Sequence, residues 1–432
     1  MMGTKVIIQL AASVLISGLS FLTLALSARL FGPEIFGQVA YLTGILGLAF
    51  AFTDLGLSRA HVHLTAVRGR PEIATFLSLK LPLLLMAAMA VLVVFRRQEL
   101  PSALAILIIV EIFSRLADSL LISFEGKEQA WPQNLLKIGA KSLRLVAVLF
   151  LGWKMTDSLG YSLTFMAEAA VLFSGSVILG RNWFRYRPSR ELIQKYIRYS
   201  LPFAVIIPLS YIQDSGLTLL LQHYQGAVIL GIYTAGFGLF GFLKTLSSSL
   251  MIFFFPRISR LFQENNLEKI QIYSDMAVKI LLWILVPLVV LLMILSRWLV
   301  PAILGTDFIA AVPIFQIYLL GILILAVFTP YDHVMFATNN QGNLVKVNIF
   351  TTVFGLGLAW WLIPVLGGKG AAWVSVISWL IGGCWQFLIL KQKIGIKFLR
   401  NWRLSKVEVK YLYGLIYSFS QAVFRPGRKK IS

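Results

Sequence analysis

Cysteine is nearly absent: the 432-residue chain carries Cys384 alone. No intramolecular disulfide can form, and cysteine usage says nothing of the redox compartment. Charge is scarce too, at 13% of residues with only 18 Asp and Glu, about half the usual share for a soluble domain. Connections between apolar runs are short throughout, which excludes an inserted soluble domain. No Gly-rich loop opens a helix and no ribonucleoprotein-type aromatic motif is present, so nothing is built to read a nucleic acid. His61 and His63 lack a Cys or carboxylate to complete a metal site, and they read as a solvated turn at a helix end.

Apolar residues dominate instead, at 58% of the chain with a mean hydropathy of +0.81. Runs near 20 residues long recur along almost the whole length, the signature of a polytopic helical membrane protein. The spacing predicts twelve spans at about 6–29, 36–60, 73–95, 102–124, 132–153, 158–180, 199–222, 228–255, 272–296, 311–336, 343–365 and 370–390. The first run, Val6 to Ala28, is longer than the apolar region of a signal peptide and is expected to be retained.

The excess of Lys and Arg over Asp and Glu gives a net charge of +21. With the N-terminus inside, 24 Lys and Arg fall in cytoplasmic segments and six on the opposite side, which sets both termini in the cytoplasm. Contact with anionic headgroups accounts for the rest of the surplus. The basic stretch Arg181 to Arg198 divides the spans into two sets of six. Gly32-Pro-Glu-Ile-Phe-Gly37 follows span one and Gly226-Ala-Val-Ile-Leu-Gly231 follows span seven, each leading into a Tyr-containing helix. The expected fold is all-α, with two six-helix lobes related by a parallel pseudo-two-fold repeat and a binding site between them. Expected boundaries are a lobe over 1–183, a basic linker over 184–198, a second lobe over 199–392 and a basic tail over 393–432. The tail is mildly amphipathic from Val407 to Phe424 and reads as an interfacial helix.

Charges inside the spans are the sharpest functional signal. Lys137, Lys141 and Arg144 share one face of span five, and Glu111, Arg115 and Asp118 share one face of span four. Each charge facing lipid near the bilayer centre would cost about 2.5–3.5 kcal/mol. The stripes are therefore expected to face one another, other helices or a water-filled cavity, as in a transporter interior. Structural ion pairs, Glu111 with Arg144 and Asp118 with Lys137 or Lys141, are one reading. Four cations against two acids on these faces also suit an anion site. Lys80, Lys244 and Lys279 are further intramembrane cations. Asp54, Asp214, Asp332 and Glu168 are candidates for coupling to H⁺ or Na⁺, because buried carboxylates exchange protons readily. Asp54 sits at a helix end where a structural role is favoured, and Asp332 lies past Pro330, where a broken helix would free carbonyls. No cofactor or resident metal is expected. Trp360-Trp361 near a span end reads as interfacial belt.

Several short patterns occur in order along residues 5 to 390: Ala28-Arg-Leu-Phe-Gly-Pro-Glu-Ile-Phe-Gly-Gln-Val-Ala-Tyr41, Asp54-Leu-Gly-Leu-Ser-Arg-Ala60, Leu230-Gly-Ile-Tyr-Thr-Ala235, Phe255-Pro-Arg-Ile-Ser-Arg260, Ala310-Ala-Val-Pro-Ile-Phe315, Thr338-Asn-Asn-Gln-Gly342 and Leu362-Ile-Pro-Val-Leu-Gly-Gly-Lys-Gly-Ala-Ala-Trp373. This succession resembles the polysaccharide-transporter branch of the multidrug/oligosaccharidyl-lipid/polysaccharide exporter superfamily, which includes O-antigen flippases. The resemblance implies a substrate with a polyprenyl tail, a diphosphate and an oligosaccharide head, moved between leaflets by alternating access. It also implies that a polysaccharide polymerase and a chain-length regulator act alongside. On that reading Arg115, Arg144 and Lys141 are expected to hold the diphosphate, arginine through paired hydrogen bonds and lysine as a point charge. A cation-coupled multidrug antiporter of the same superfamily is the alternative, and it would favour intramembrane carboxylates. A glycosyltransferase, ligase or polymerase is expected less, because the longest outer loop, about Arg297 to Ala310, offers only Asp307 as an acid. The expectation is a transporter rather than an enzyme.

Overall fold

Two glycines 194 residues apart shape the molecule. In the computed structural model, which describes residues 2–95, 101–127, 129–185, 188–264, 266–338 and 340–397, helix α1 (Met2–Ala49) is interrupted at Gly32, with φ 72° and ψ 172°. Helix α8 (Ile206–Gln263) is interrupted at Gly226, with φ 79° and ψ 179°. A residue with a side chain rarely adopts a positive φ, and Pro33 after the first turn starts the next limb with its φ already helical. The apolar stretches Ala11–Thr53 and Ile207–Thr245, 43 and 39 residues long, are each about twice the ~20 residues that cross a bilayer. Each supplies two crossings.

The remaining helices are α2 (Leu57–Arg68), α3 (Ile73–Val94), α4 (Ser102–Gly126), α5 (Ala130–Lys154), α6 (Ser158–Gly180), α7 (Arg190–Ser200), α9 (Leu267–Leu304), α10 (Ala311–Ala337), α11 (Gln341–Leu366) and α12 (Gly368–Ile394). Six crossings build each of two lobes, as the sequence pattern anticipates. Large apolar side chains such as Met86, Val94, Trp153, Trp298 and Val365 lie on the outside, the inverse of a soluble surface and the surface a bilayer requires. Trp360 and Trp361 are among these outward-facing residues. The tail beyond residue 397, with its expected interfacial helix, lies outside the described residues.

One expected span is shorter than its pattern. The crossing anticipated over 36–60 ends in a single 3₁₀ turn, Phe50–Thr53, and a separate helix, α2, begins at Leu57. Leu55 (φ 43°) and Gly56 (φ 79°) break the helix between them. Gly56 also sits so close to the carbonyl of Ser200 that a Cβ there would lie 2.6 Å from its oxygen.

That contact ties the lobes' connecting segment to the first lobe. Helix α7 buries Leu192, Tyr196 and Ser200, and the Tyr196 hydroxyl meets His61 Nδ1 at 2.7 Å. His61 Nε2 meets the Ser123 hydroxyl at 2.8 Å, and the ring stacks on Phe76 with centroids 4.4 Å apart. His61 is therefore buried, not part of the expected solvated turn, whereas His63 is exposed and stacks on Tyr199. Burial, with Lys80 nearby, lowers the His61 pKa to about 3.

The lobes meet along α1 and α8. Gly37 approaches Ala227 and Gly231 so closely that a Cβ would overlap the Ala227 carbonyl oxygen, and a Cβ on Gly231 would overlap that of Pro33. The repeated Gly-x4-Gly segments therefore touch each other across the pseudo-two-fold. At the same end Arg29 Nε donates to the Ile303 carbonyl at 2.9 Å and Nη2 to that of Ala302. A cation thus serves unpaired carbonyls at the C-terminus of α9, where the helix dipole favours it. Phe36 meets Phe308 edge-on beside it.

Candidate functional site

The stripe on α5 turns inward to α6. Lys141 Nζ lies 2.7 Å from one oxygen of Glu168 and Arg144 Nη1 lies 3.1 Å from the other. The Arg144 guanidinium also stacks 3.6 Å above the Phe165 ring. One acid thus holds two cations, and neither cation lines the central cavity. The pairing differs from the expected Glu111–Arg144, because Glu168, on a helix packed against α5, reaches both. Glu111 instead bonds Arg115 one turn along α4 at 2.6 Å. Among the described residues Asp118 forms no ion pair within 4 Å with Lys137 or Lys141, the second of which pairs with Glu168. Lys80 is buried against Asp54 at 3.0 Å and the Ser58 hydroxyl at 3.2 Å, an internal pair at the end of the α1 crossing. Lys279 is buried on α9 and engaged there, away from the cavity.

A cavity of about 640 Å³ lies between the lobes, within the ~300–1,000 Å³ range of small-ligand pockets. It is not enclosed by the first lobe, where the sequence places the anion site. The first lobe contributes a narrow strip from α1 (Ala40, Thr43, Gly44, Gly47) and the Glu111–Arg115 pair of α4. Every other wall belongs to α8, α10, α11 and α12. Arg115 reaches toward that wall: Nη1 donates to Thr53 Oγ1 at 3.2 Å, and the guanidinium lies 5.2 Å from the Tyr211 ring of the second lobe.

The second-lobe wall holds Asp214 and Lys244 on α8 and Asp332 on α10. Lys244 lies 5.7 Å from the Trp379 ring and has no carboxylate within 4 Å among the described residues. Gln386 on α12 lines the cavity together with Asp332. Of the expected site residues, the cavity therefore gathers Arg115, Lys244, Glu111, Asp214 and Asp332. It leaves Lys80, Lys141, Arg144, Lys279, Asp54 and Asp118 outside.

The sequence reading overlooked the polar seam of α12 and α11. Ser375, Ser378, Gly382 and Gln386 are spaced three and four apart and line the cavity, as do Asn348 and Thr351. That spacing puts them on one helix face, and polar residues at helical period inside apolar runs were the available signal. Aromatic rings of Tyr211, Tyr233, Phe237 and Trp379 complete the wall. Hydroxyls, amides and ring faces together suit a bulky, hydroxyl-rich ligand, and the cations and acids allow it to be charged.

Two family models match. One, described as lipid II flippase MurJ, covers residues 145–425, and one described as polysaccharide biosynthesis protein covers residues 2–262. No curated protein matches the sequence. Among solved structures, the lipid II flippase MurJ in an inward closed conformation aligns with a TM-score of 0.68 at 14% identity, over 96% of this chain and 98% of that one. An inward-facing multidrug resistance MATE transporter aligns at 0.65 with 17% identity, over 90% and 94%. A MOP superfamily transporter from Pyrococcus furiosus, reported with a binding pocket of reversed polarity, aligns at 0.62 with 16% identity, over 91% and 96%. At these identities the structural likeness establishes the fold. With both family models spanning more than half of its length, the chain belongs to the polysaccharide-biosynthesis and MurJ-type families, in the polysaccharide-transporter branch of the multidrug/oligosaccharidyl-lipid/polysaccharide exporter superfamily.

Proposed function

We propose that the protein is a flippase that carries a polyprenyl-diphosphate-linked oligosaccharide, an O-antigen or other surface-polysaccharide repeat, from the cytoplasmic to the outer leaflet. The observation that carries this reading is the inter-lobe cavity, polar and aromatic at once, with a cation from each lobe: Arg115 on α4 and Lys244 on α8. An oligosaccharide cannot cross hydrocarbon bare, since each hydroxyl would lose its hydrogen bonds to water. The cavity supplies hydroxyl and amide partners, while the polyprenyl tail stays in lipid. Arg115 and Lys244 are the groups we assign to the diphosphate, in place of Lys141 and Arg144, whose charges Glu168 already engages.

The Lys and Arg bias puts the α2–α7 end of the molecule in the cytoplasm of the inner membrane, with both termini there. The end closed by Gly37, Gly231 and Arg29 then faces outward, and the transport cycle opens it. A doubly negative head moving outward is aided by an inside-negative potential, by about 2.3 kcal/mol per charge per 100 mV. Asp214 and Asp332 are positioned for coupling to H⁺ or Na⁺, and a polymerase and chain-length regulator would act on the delivered repeat.

One observation favours the second reading, a cation-coupled multidrug antiporter: Glu111, Asp214 and Asp332 all line the cavity. Reconstituted proteoliposomes separate the two. Fluorescent polyprenyl-diphosphate oligosaccharide in the inner leaflet should become accessible to an impermeant quencher only when the protein is present. Efflux of a cationic dye driven by an ion gradient, with no lipid exposure, would replace the flippase with the antiporter.

A further inference from the structure

We propose that the glycan this cavity carries is neutral or bears amino groups, and that a glycan bearing a carboxylate is excluded. The inference rests on the flippase reading and narrows its substrate class. Three carboxylates line the cavity against two cations. Arg115 is partly engaged by Glu111 at 2.6 Å, and the diphosphate would take what remains of it together with Lys244. The charged groups left for the sugars are then Asp214 and Asp332, both on the second lobe.

Their surroundings reinforce the same polarity. Gln386 lines the cavity together with Asp332, and its Oε1 is buried with no hydrogen-bond partner. Ser378, 2% exposed, lines the cavity about two turns away on α12 with its hydroxyl likewise unpartnered. A buried polar atom left without a partner is costly and is expected to be met by a ligand or by water. Two carboxylates and an amide oxygen are acceptors. They match a ligand rich in donors, which means sugar hydroxyls and ammonium groups. A uronic acid would bring a negative charge to a wall whose remaining charged groups are both carboxylates. Discrimination would thus come from repulsion as much as from fit.

Three synthetic polyprenyl-diphosphate trisaccharides that differ in the terminal sugar provide the test: a hexose, a hexosamine with a free amine, and a hexuronic acid. Binding to the full-length protein in nanodiscs is measured for each at pH 7.5. The hexose and hexosamine probes should bind, and the uronate should bind about tenfold more weakly, the scale of one like-charge repulsion in a partly screened cavity. Asp332→Asn and Asp214→Asn, checked for unchanged melting, should close that gap. Uronate binding equal to or tighter than hexose binding in the wild-type protein overturns this inference and leaves the flippase standing. Failure of all three probes to bind removes both. The ranking in the wild type decides the matter even where a variant does not fold.

Discussion

Replacing Glu168 with Gln tests whether the α5 stripe is structural. The change keeps side-chain volume and removes the charge that Lys141 and Arg144 share at 2.7 and 3.1 Å. Removing one partner of a buried ion pair typically costs about 3–5 kcal/mol, because the remaining charge stays desolvated and unpaired. The Lys141 side chain is 25% exposed, against 13% for Arg144 and Glu168, so part of the loss is screened and about 3 kcal/mol is the expected scale. At about 2 °C per kcal/mol for a large chain, the melting temperature in detergent should fall by roughly 6 °C. Size-exclusion chromatography after heating, with tryptophan fluorescence detection, reads this directly. The triple change Lys141→Met, Arg144→Met and Glu168→Met should restore much of the loss, since apolar side chains often replace a buried ionic cluster without penalty. Unchanged melting of Glu168→Gln together with abolished glycan export would refute the reasoning and return Lys141 and Arg144 to substrate binding.

Four further outcomes follow from the geometry. Gly37→Ala and Gly231→Ala place a methyl group against a carbonyl of the opposite lobe, so either should force the α1–α8 joint apart; in a Cys384→Ser background, a Thr218→Cys reporter should label faster with an impermeant maleimide, and unchanged labelling would count against the joint. His61→Phe leaves the Tyr196 and Ser123 hydroxyls without their partner, at a cost of about 1–3 kcal/mol in stability. Because the folded His61 pKa is about 3, against 6.5 for an ordinary histidine, the unfolded chain binds the extra proton between these values; wild-type melting should fall as pH drops below 6.5, less steeply in His61→Phe, and parallel pH profiles would remove the group from the account. Lys244→Met should abolish glycan export while leaving membrane insertion intact, and normal export in that variant would eliminate the cation assigned to the diphosphate.

The spans and the repeat were legible because both depend on local pattern. Apolar length fixes a crossing, and Gly32 and Gly226 punctuate the sequence where the chain turns. The break at Leu55 and Gly56 had a signal as well, since Asp54 and Gly56 sit inside an apolar run. The cavity was less legible. Helical spacing says that Lys141 and Arg144 share a face, but not which neighbouring helix answers them. Counting only the acids of span four left an apparent surplus of two cations, which Glu168 on α6 halves by engaging Lys141 and Arg144 together. His61 shows the same limit, since Tyr196 lies 135 residues away on α7 and no local pattern connects them. In the second lobe, single polar residues scattered over α11 and α12 converge only once the helices pack.

The two lobes share their joints but not their chemistry. At one end of the α1–α8 seam each lobe presents a glycine to the other's backbone, while farther along it side chains meet, Phe21 against Phe242 and Leu24 against Gly238. Within the first lobe, charge is used for cohesion: Glu168 with Lys141 and Arg144, Asp54 with Lys80, and the neutral His61 bracing α2 against α4 and α7. Helix α7 is tied to the same lobe through Tyr196 and the Ser200 carbonyl. The second lobe keeps Lys244, Asp214 and Asp332 turned to the cavity, and among the described residues the first lobe adds only Arg115 and Glu111 to its charged groups.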